Sequence, residues 1–224
     1  MLRRLEVMIG EKINILKESN IIIFGLGGVG GYVAEMLARS GVGKLTLVDY
    51  DLIDISNKNR QIIATDNVLG KSKVDEWKNR IHLINQDCEV VSINDKLLSE
   101  NIEFFHLDQF DFVIDAIDMV KSKIALIDYC FKNNIPIVSA MGAGNRIDIP
   151  ECVVGDIYET NNDGLAKVLR HNLRKLGVTR HSVIYFKNKS IAIGENNVIG
   201  SVAYYPAISG AMTAAYVINK LLNK

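Results

Sequence analysis

The stretch Ile21-Ile22-Ile23-Phe24-Gly25-Leu26-Gly27-Gly28-Val29-Gly30 decides the fold. A short apolar run rich in β-branched residues reads as a strand buried on both faces, and the glycines that end it read as a tight turn into a helix. In such a turn Gly25 allows the bend, Gly27 lets the backbone approach a phosphate, and Gly30 lets the helix pack close to the strand, with Gly28 in the same loop. Tyr32, Val33, Met36 and Leu37 then repeat at helical spacing, and a second apolar run, 45–48, delivers Asp49. An acid at that point accepts from ribose hydroxyls, while phosphates sit at the helix N-terminus. The combination predicts a nucleotide site.

The next segment selects the nucleotide. Asp49-Tyr50-Asp51 leads through Asp54, Ser56 and Asn57 to Arg60-Gln61, and Lys73 follows after a further turn. A hydride-transfer enzyme needs a flat pocket for nicotinamide and neutral donors for a pyrophosphate. Two cations suit a triphosphate whose charge must be neutralised during attack, so ATP is expected here and NAD is not. Solvated surface cations are the competing reading of Arg60 and Lys73.

Working outward, strands at 20–25, 44–49, 88–93, 111–117 and 136–140 alternate with helices at 28–40, 70–84 and 121–134. This pattern predicts an α/β fold with a doubly wound, Rossmann-like, mostly parallel sheet in three α/β/α layers. Pro136 opens its strand, where a missing amide donor does least harm. Gly142-Ala143-Gly144 follows at the carboxyl edge, as a substrate recess or an ordinary turn. The last third reads as an amphipathic helix at 165–176, a strand at 182–186, a polar hairpin-like stretch at 187–197 and a Gly- and Ala-rich terminal helix. That C-terminal extension is expected to pack on the sheet or at a dimer interface. The run 198–222 is apolar, but Pro206 and Gly210 interrupt it, which favours a core or dimer helix over a membrane span.

With 224 residues and 48% hydrophobic content, the chain can bury one sizeable core, and one domain over 1–224 is the favoured organisation. It divides into an N-terminal helical arm (1–19), a nucleotide-binding core (20–150) and a C-terminal substrate or dimer portion (151–224). The net charge is zero, so any nucleic-acid partner must meet a local basic patch. Cys88, Cys130 and Cys152 form no Cys-x-x-Cys pair, against a disulfide scaffold and a four-thiolate zinc site. Cys88 and Cys130 read as small buried hydrophobes, and His82 and His106 as core or surface residues without a spaced partner. No apolar signal region opens the chain, so a cytoplasmic location is expected.

Gly25 to Gly30, Asp49-Tyr50-Asp51, Asn57, Arg60-Gln61 and Lys73 stand at the spacing of the ThiF-type adenylating superfamily, and the chain resembles the activators of ubiquitin and of bacterial sulfur carriers. By that resemblance Asp49 and Asp51 lie at the nucleotide, and Asn57, Arg60 and Lys73 contact the triphosphate. Asp118, after the strand ending near Ile117, holds magnesium. Arg4, from a second subunit of a homodimer, completes the site, with Arg3 the neighbour able to replace it. Within the superfamily, Asp115-Ala116-Ile117-Asp118, Arg39-Ser40-Gly41-Val42-Gly43, Asn57-Lys58-Asn59-Arg60-Gln61 and Leu165-Ala166-Lys167-Val168-Leu169-Arg170 are similar to the tRNA threonylcarbamoyladenosine dehydratases, nearly end to end. These adenylate the carboxylate of a modified adenosine in tRNA and cyclise it. One departure stands out: Asp163-Gly164 occupies the place where that family often has Cys-Pro.

The resemblance implies ATP and magnesium as cofactors and tRNA as partner, with a sulfurtransferase or ubiquitin-like carrier as a further partner. The alternative activity is adenylation of the C-terminus of a ubiquitin-like sulfur carrier. The helix at 165–176 bears on this choice. Leu165, Val168, Leu169, Leu173 and Leu176 mark its expected buried face, while Lys167, Arg170, His171, Arg174 and Lys175 occupy the rest and no acid intervenes through Arg180. That face is either an RNA contact or a solvated helix surface.

Overall fold

The structure is a computed structural model that describes residues 1–191 and 199–223. A seven-stranded sheet in the order β3-β2-β1-β4-β5-β7-β6 runs through it. In chain order the strands are β1 (Asn20–Phe24), β2 (Lys44–Val48), β3 (Glu89–Ile93), β4 (Phe112–Asp115), β5 (Ile137–Ala140), β6 (Cys152–Asp156) and β7 (Ser182–Phe186). The helices are α1 (Arg3–Ile9), α2 (Ile13–Glu18), α3 (Gly28–Arg39), α4 (Lys73–Ile84), α5 (Val120–Lys132), α6 (Gly164–Lys175) and α7 (Tyr204–Leu222). All strand pairs are parallel except β6 with β7.

Alternation along β1 sorts the layers. Ile21 and Ile23 join Leu16, Val33, Leu37, Trp77 and Val217 on one face, beneath α2, α3, α4 and α7. Ile22 and Phe24 join Leu107, Val113, Leu126 and Cys130 on the other, beneath α5. Leu169 and Leu173 of α6 extend that second layer over Ile127, Val183 and Tyr185. Strands covered on both faces show no polar alternation, which is why β1 reads as an unbroken apolar run. Between α3 and α4, the buried Glu35 accepts from Arg39 at 2.8 Å and from Arg80 at 2.6 Å. Burial pushes its carboxyl up, yet the two guanidiniums hold it below the ordinary range.

Several expected elements shift. The strand at 111–117 stops at Asp115, which leaves Asp118 in the loop before α5. The helix expected from residue 70 starts at Lys73, because Gly70 has φ +78° and breaks the backbone. Cys152 lies in β6, an antiparallel edge strand missing from the strand pattern. On α6 the buried residues are Ala166, Leu169 and Leu173, whereas Val168 and Leu176 are exposed. Pro206 sits in the first turn of α7, where its absent amide costs no helical bond, so it does not interrupt the helix. Gly210 marks close packing of α7 on α3: a Cβ there would meet Val29 O at 2.6 Å. The hairpin-like stretch at 187–197 and the start of the apolar run at 198 fall partly outside the described residues. Among those described, no helix is long and apolar enough to cross a membrane.

Candidate active site

A cleft of about 1470 Å³ opens at the carboxyl ends of β1, β2, β4 and β5. Its first wall is the glycine turn. Gly25 adopts φ +86°, and a side chain at Gly30 would press to 1.8 Å from Gly25 O, so these two glycines are imposed by the bend itself. Gly27 caps α3, and a Cβ there would meet only Gln61 Nε2, at 3.9 Å. The space before the α3 N-terminus therefore stays free for an anion.

Asp49 is buried at the end of β2. One carboxylate oxygen accepts from the amide of Leu26 at 2.6 Å and the other from that of Asp51 at 2.8 Å. Burial lifts its carboxyl above the ordinary range against the pull of Lys73. Asp49 thus fixes the glycine turn while facing the cleft. Lys73, 4% exposed at the first position of α4, lies 2.7 Å from Asp51 Oδ2 and 3.9 Å from Asp49 Oδ1. Arg60 donates to Ser56 O at 2.8 Å and Asn59 Oδ1 at 3.0 Å, which holds its guanidinium at the cleft. Asn57 is buried and completes a capping box with Asp54. Gln61 Oε1 is buried without a hydrogen-bond partner among the described residues.

Gly25, Gly27, Gly28, Asp49, Asp51, Asn57, Arg60, Lys73 and Asp118 all line the cleft. Gly30 does not: it serves packing. Arg4 is absent from the lining as well. It is exposed on α1, where the neighbouring Leu2 packs at Gly41, beside the opposite edge of the sheet, so Arg4 does not serve the cleft of its own chain. The three thiols are also unsuited to chemistry. Burial pushes Cys88 up to about 11 and Cys130 and Cys152 to about 12, so none is a thiolate at neutral pH.

The opposite wall contains the Gly142-Ala143-Gly144 stretch, expected as a substrate recess or a turn, together with Arg146, which the sequence pattern did not single out. Met141 to Arg146, with Asp163, Gly164, Leu165 and Val168, form it. Asp163 Oδ1 accepts from Ala166 N as the N-cap of α6, while Oδ2 accepts from Gly142 N at 3.0 Å and lies 3.5 Å from Arg146 Nη2. Both side chains of that ion pair are buried. Asp163 is therefore a latch between α6 and the small-residue loop. Its signal in the sequence is an N-cap acid before an amphipathic helix.

Beneath the cleft floor lies a second buried network. Asp115 Oδ1 accepts from Ile117 N at 3.1 Å and so shapes the turn that carries Asp118. Its Oδ2 pairs with Lys123 Nζ at 2.8 Å and accepts from Ser139 Oγ at 2.6 Å. Since the Ser139 proton is committed there, its oxygen accepts from His181 Nε2, 2.7 Å away. Burial, reinforced by the Lys123 charge, drives His181 down to about 3, so it is neutral. Polar residues inside apolar β4, α5 and β5 were the available signal.

The glycine turn, Asp49 and the cations Arg60 and Lys73 meet on one cleft, and the ThiF family model matches residues 2–224. The chain belongs to the ThiF family. The tRNA threonylcarbamoyladenosine dehydratase of Bacillus subtilis is 38% identical over 98% of this chain and 93% of that protein. Crystal structures of the Escherichia coli tRNA N6-threonylcarbamoyladenosine dehydratase, one in complex with AMP and one with ATP, superpose with TM-score 0.92 at 31% identity. They cover 99% of this chain and 93% of theirs.

Proposed function

We propose that this chain is an ATP-dependent dehydratase that acts on threonylcarbamoyladenosine in tRNA. The observation that carries the reading is the cleft itself, where one wall gathers Asp49, Arg60 and Lys73 around the glycine turn and the other leaves room for a second substrate. The named relatives and the nucleotide complexes of the E. coli protein support it.

A carboxylate is a poor electrophile until its oxygen is made a leaving group. The threonyl carboxylate oxygen attacks the α-phosphorus of ATP, and the bond to the β-phosphate oxygen breaks, releasing pyrophosphate. Arg60 and Lys73 stabilise the charge that gathers on the phosphoryl oxygens, and Asp49 holds the ribose. To meet the phosphates, the Lys73 ammonium shares its donors between Asp51 and the nucleotide. A carbamoyl nitrogen of the same nucleoside then attacks the acyl carbon. It loses its proton as the acyl–oxygen bond breaks, and AMP departs. The net change in the nucleoside is loss of one water. Because attack is intramolecular, no enzyme nucleophile is needed, in keeping with two buried thiols, Cys88 and Cys130, and a partly buried one, Cys152, none of which lines the cleft.

Magnesium fits Asp118: this exposed carboxylate lines the cleft and forms no hydrogen bond or ion pair among the described residues. Magnesium usually takes one or two carboxylates plus substrate phosphates and waters, so the lack of a cluster of three ligating side chains among the described residues does not oppose it. When bound it supplies charge neutralisation at the phosphates. Arg4 acts in a homodimer, supplied to each cleft by the second copy. Its placement away from the cleft of its own chain supports this, as do the exposed Val7 and Met8 on α1. The enzyme works in the cytoplasm, on tRNA.

The test is mass spectrometry of nucleosides from threonylcarbamoyladenosine-bearing tRNA incubated with the protein, ATP and magnesium under mild hydrolysis. ATP-dependent loss of water, abolished in Arg60→Ala, is the expected outcome. Unchanged nucleoside with ATP still bound would move the activity to a carrier protein.

A further inference from the structure

The exposed face of α6 carries a cationic stripe that leads into the cleft. At about 100° per residue, Lys167, His171, Arg174 and Lys175 fall at i, i+4, i+7 and i+8, within an arc of about 100°. Ala166, Leu169 and Leu173 occupy the opposite, buried side. Arg170 is not part of the stripe: it turns inward to donate to Thr160 O at 2.9 Å. Arg174 is held outward against the Tyr158 ring, 5.0 Å from its centroid. None of the four stripe residues forms an ion pair among the described residues, and no acid occurs between Gly164 and Arg180.

Helix energetics do not account for this stripe. The macrodipole rewards cations in the last turn, which covers Arg174 and Lys175, but it disfavours Lys167 near the N-terminus of α6. That is also the end where Gly164, Leu165 and Val168 line the cleft. A run of cations from Lys167 to Lys175 spans ~12 Å at 1.5 Å per residue, enough to follow several phosphates of a strand. The net charge of zero gives the whole molecule no attraction for a polyanion, so binding has to be local.

We propose that the Lys167–His171–Arg174–Lys175 face of α6, extended by the exposed Arg180, is the surface on which the tRNA backbone docks, so that the modified adenosine enters the cleft past Val168. The proposal rests on the dehydratase reading for its RNA and names where that RNA is held.

The test measures binding of threonylcarbamoyladenosine-bearing tRNA over a salt series, with steady-state kinetics, for wild type and Lys167→Glu/Lys175→Glu. Lys78→Glu/Lys220→Glu, on α4 and α7 across the sheet from α6, is the control of equal net charge. The α6 variant is expected to lower the slope of log affinity against log salt by about two and to raise KM for tRNA on the order of tenfold or more. KM for ATP, kcat at saturating tRNA and the thermal midpoint stay as in wild type. Lys167→Gln/Lys175→Gln should give an intermediate loss. An α6 variant that matches the control in slope and KM overturns the proposal. If wild type binds tRNA but leaves the nucleoside unchanged, the dehydratase reading fails instead, and the slope comparison still decides the docking face.

Discussion

The two walls of the cleft use charge in opposite ways. On the nucleotide wall, Asp51, Arg60 and Asp118 reach solvent, and Lys73, though buried, faces the cleft beside Asp49. On the opposite wall, Arg146 and Asp163 have side-chain exposures of 2% and 1% and are bound to one another and to backbone. The first wall holds charge available to a substrate; the second consumes its charge in holding its own shape. Substitutions of Arg60 or Asp118 on the first should therefore alter kinetics with little loss of stability, Asp49 being the exception because it also anchors the glycine turn, and substitutions on the second should do the reverse.

The largest expected effect is on the second wall. Asp163→Ala removes the α6 cap and leaves the Arg146 guanidinium buried without its acid, a loss of ~3–5 kcal/mol in denaturant unfolding. Asp163→Asn keeps a capping oxygen and should lose less. If Asp163→Ala unfolds like wild type yet is slow, the contrast between the walls is wrong.

Next comes the nucleotide wall. Arg60→Ala should lose ~3–4 kcal/mol of transition-state stabilisation, a drop in kcat of about a hundredfold or more, with an unchanged unfolding midpoint. Asp49→Ala should mainly raise KM for ATP, by ~1.5–3 kcal/mol of lost charged hydrogen bonding. Steady-state AMP release separates the two, and equal effects on both parameters in both variants would blur the assigned roles.

The smallest effect concerns the network under the floor. His181 faces Ser139 and Lys123, with Asp115 beyond them and Asp156 accepting its backbone amide at 3.0 Å. Its folded value lies at about 3, below the unfolded ~6.5, so the unfolded chain takes up the proton first as pH falls. Its contribution is complete above ~6.5 and is lost progressively down to ~3. Near pH ~5 this amounts to ~2 kcal/mol. Thermal midpoints should fall from pH ~7 to ~5 more steeply in wild type than in His181→Gln; parallel curves would show that His181 is not the titrating group.

This contrast also explains what the sequence disclosed. Gly25, Asp49, Arg60 and Lys73 follow one another within about fifty residues, and their spacing expresses local strand–turn–helix geometry, so they can be read as a motif. The Arg146–Asp163 latch and the Ser139–His181 contact join residues 17 and 42 apart, through pairings set by the sheet order. Edge strand β6 escaped notice because Cys152–Asp156 is short, half-exposed and ends in Gly155-Asp156, which reads as a turn. On α6, hydrophobicity alone assigned Val168 to the core, whereas it borders the cleft.

The central claim is that this cleft activates a carboxylate through AMP, and oxygen labelling tests it directly. tRNA whose threonylcarbamoyladenosine carries oxygen-18 in the carboxylate is incubated with the enzyme, ATP and magnesium, and the AMP is weighed by mass spectrometry. If the carboxylate attacks the α-phosphorus, one labelled oxygen leaves with each AMP as the ring closes. Cyclised nucleoside accompanied by unlabelled AMP would contradict the account.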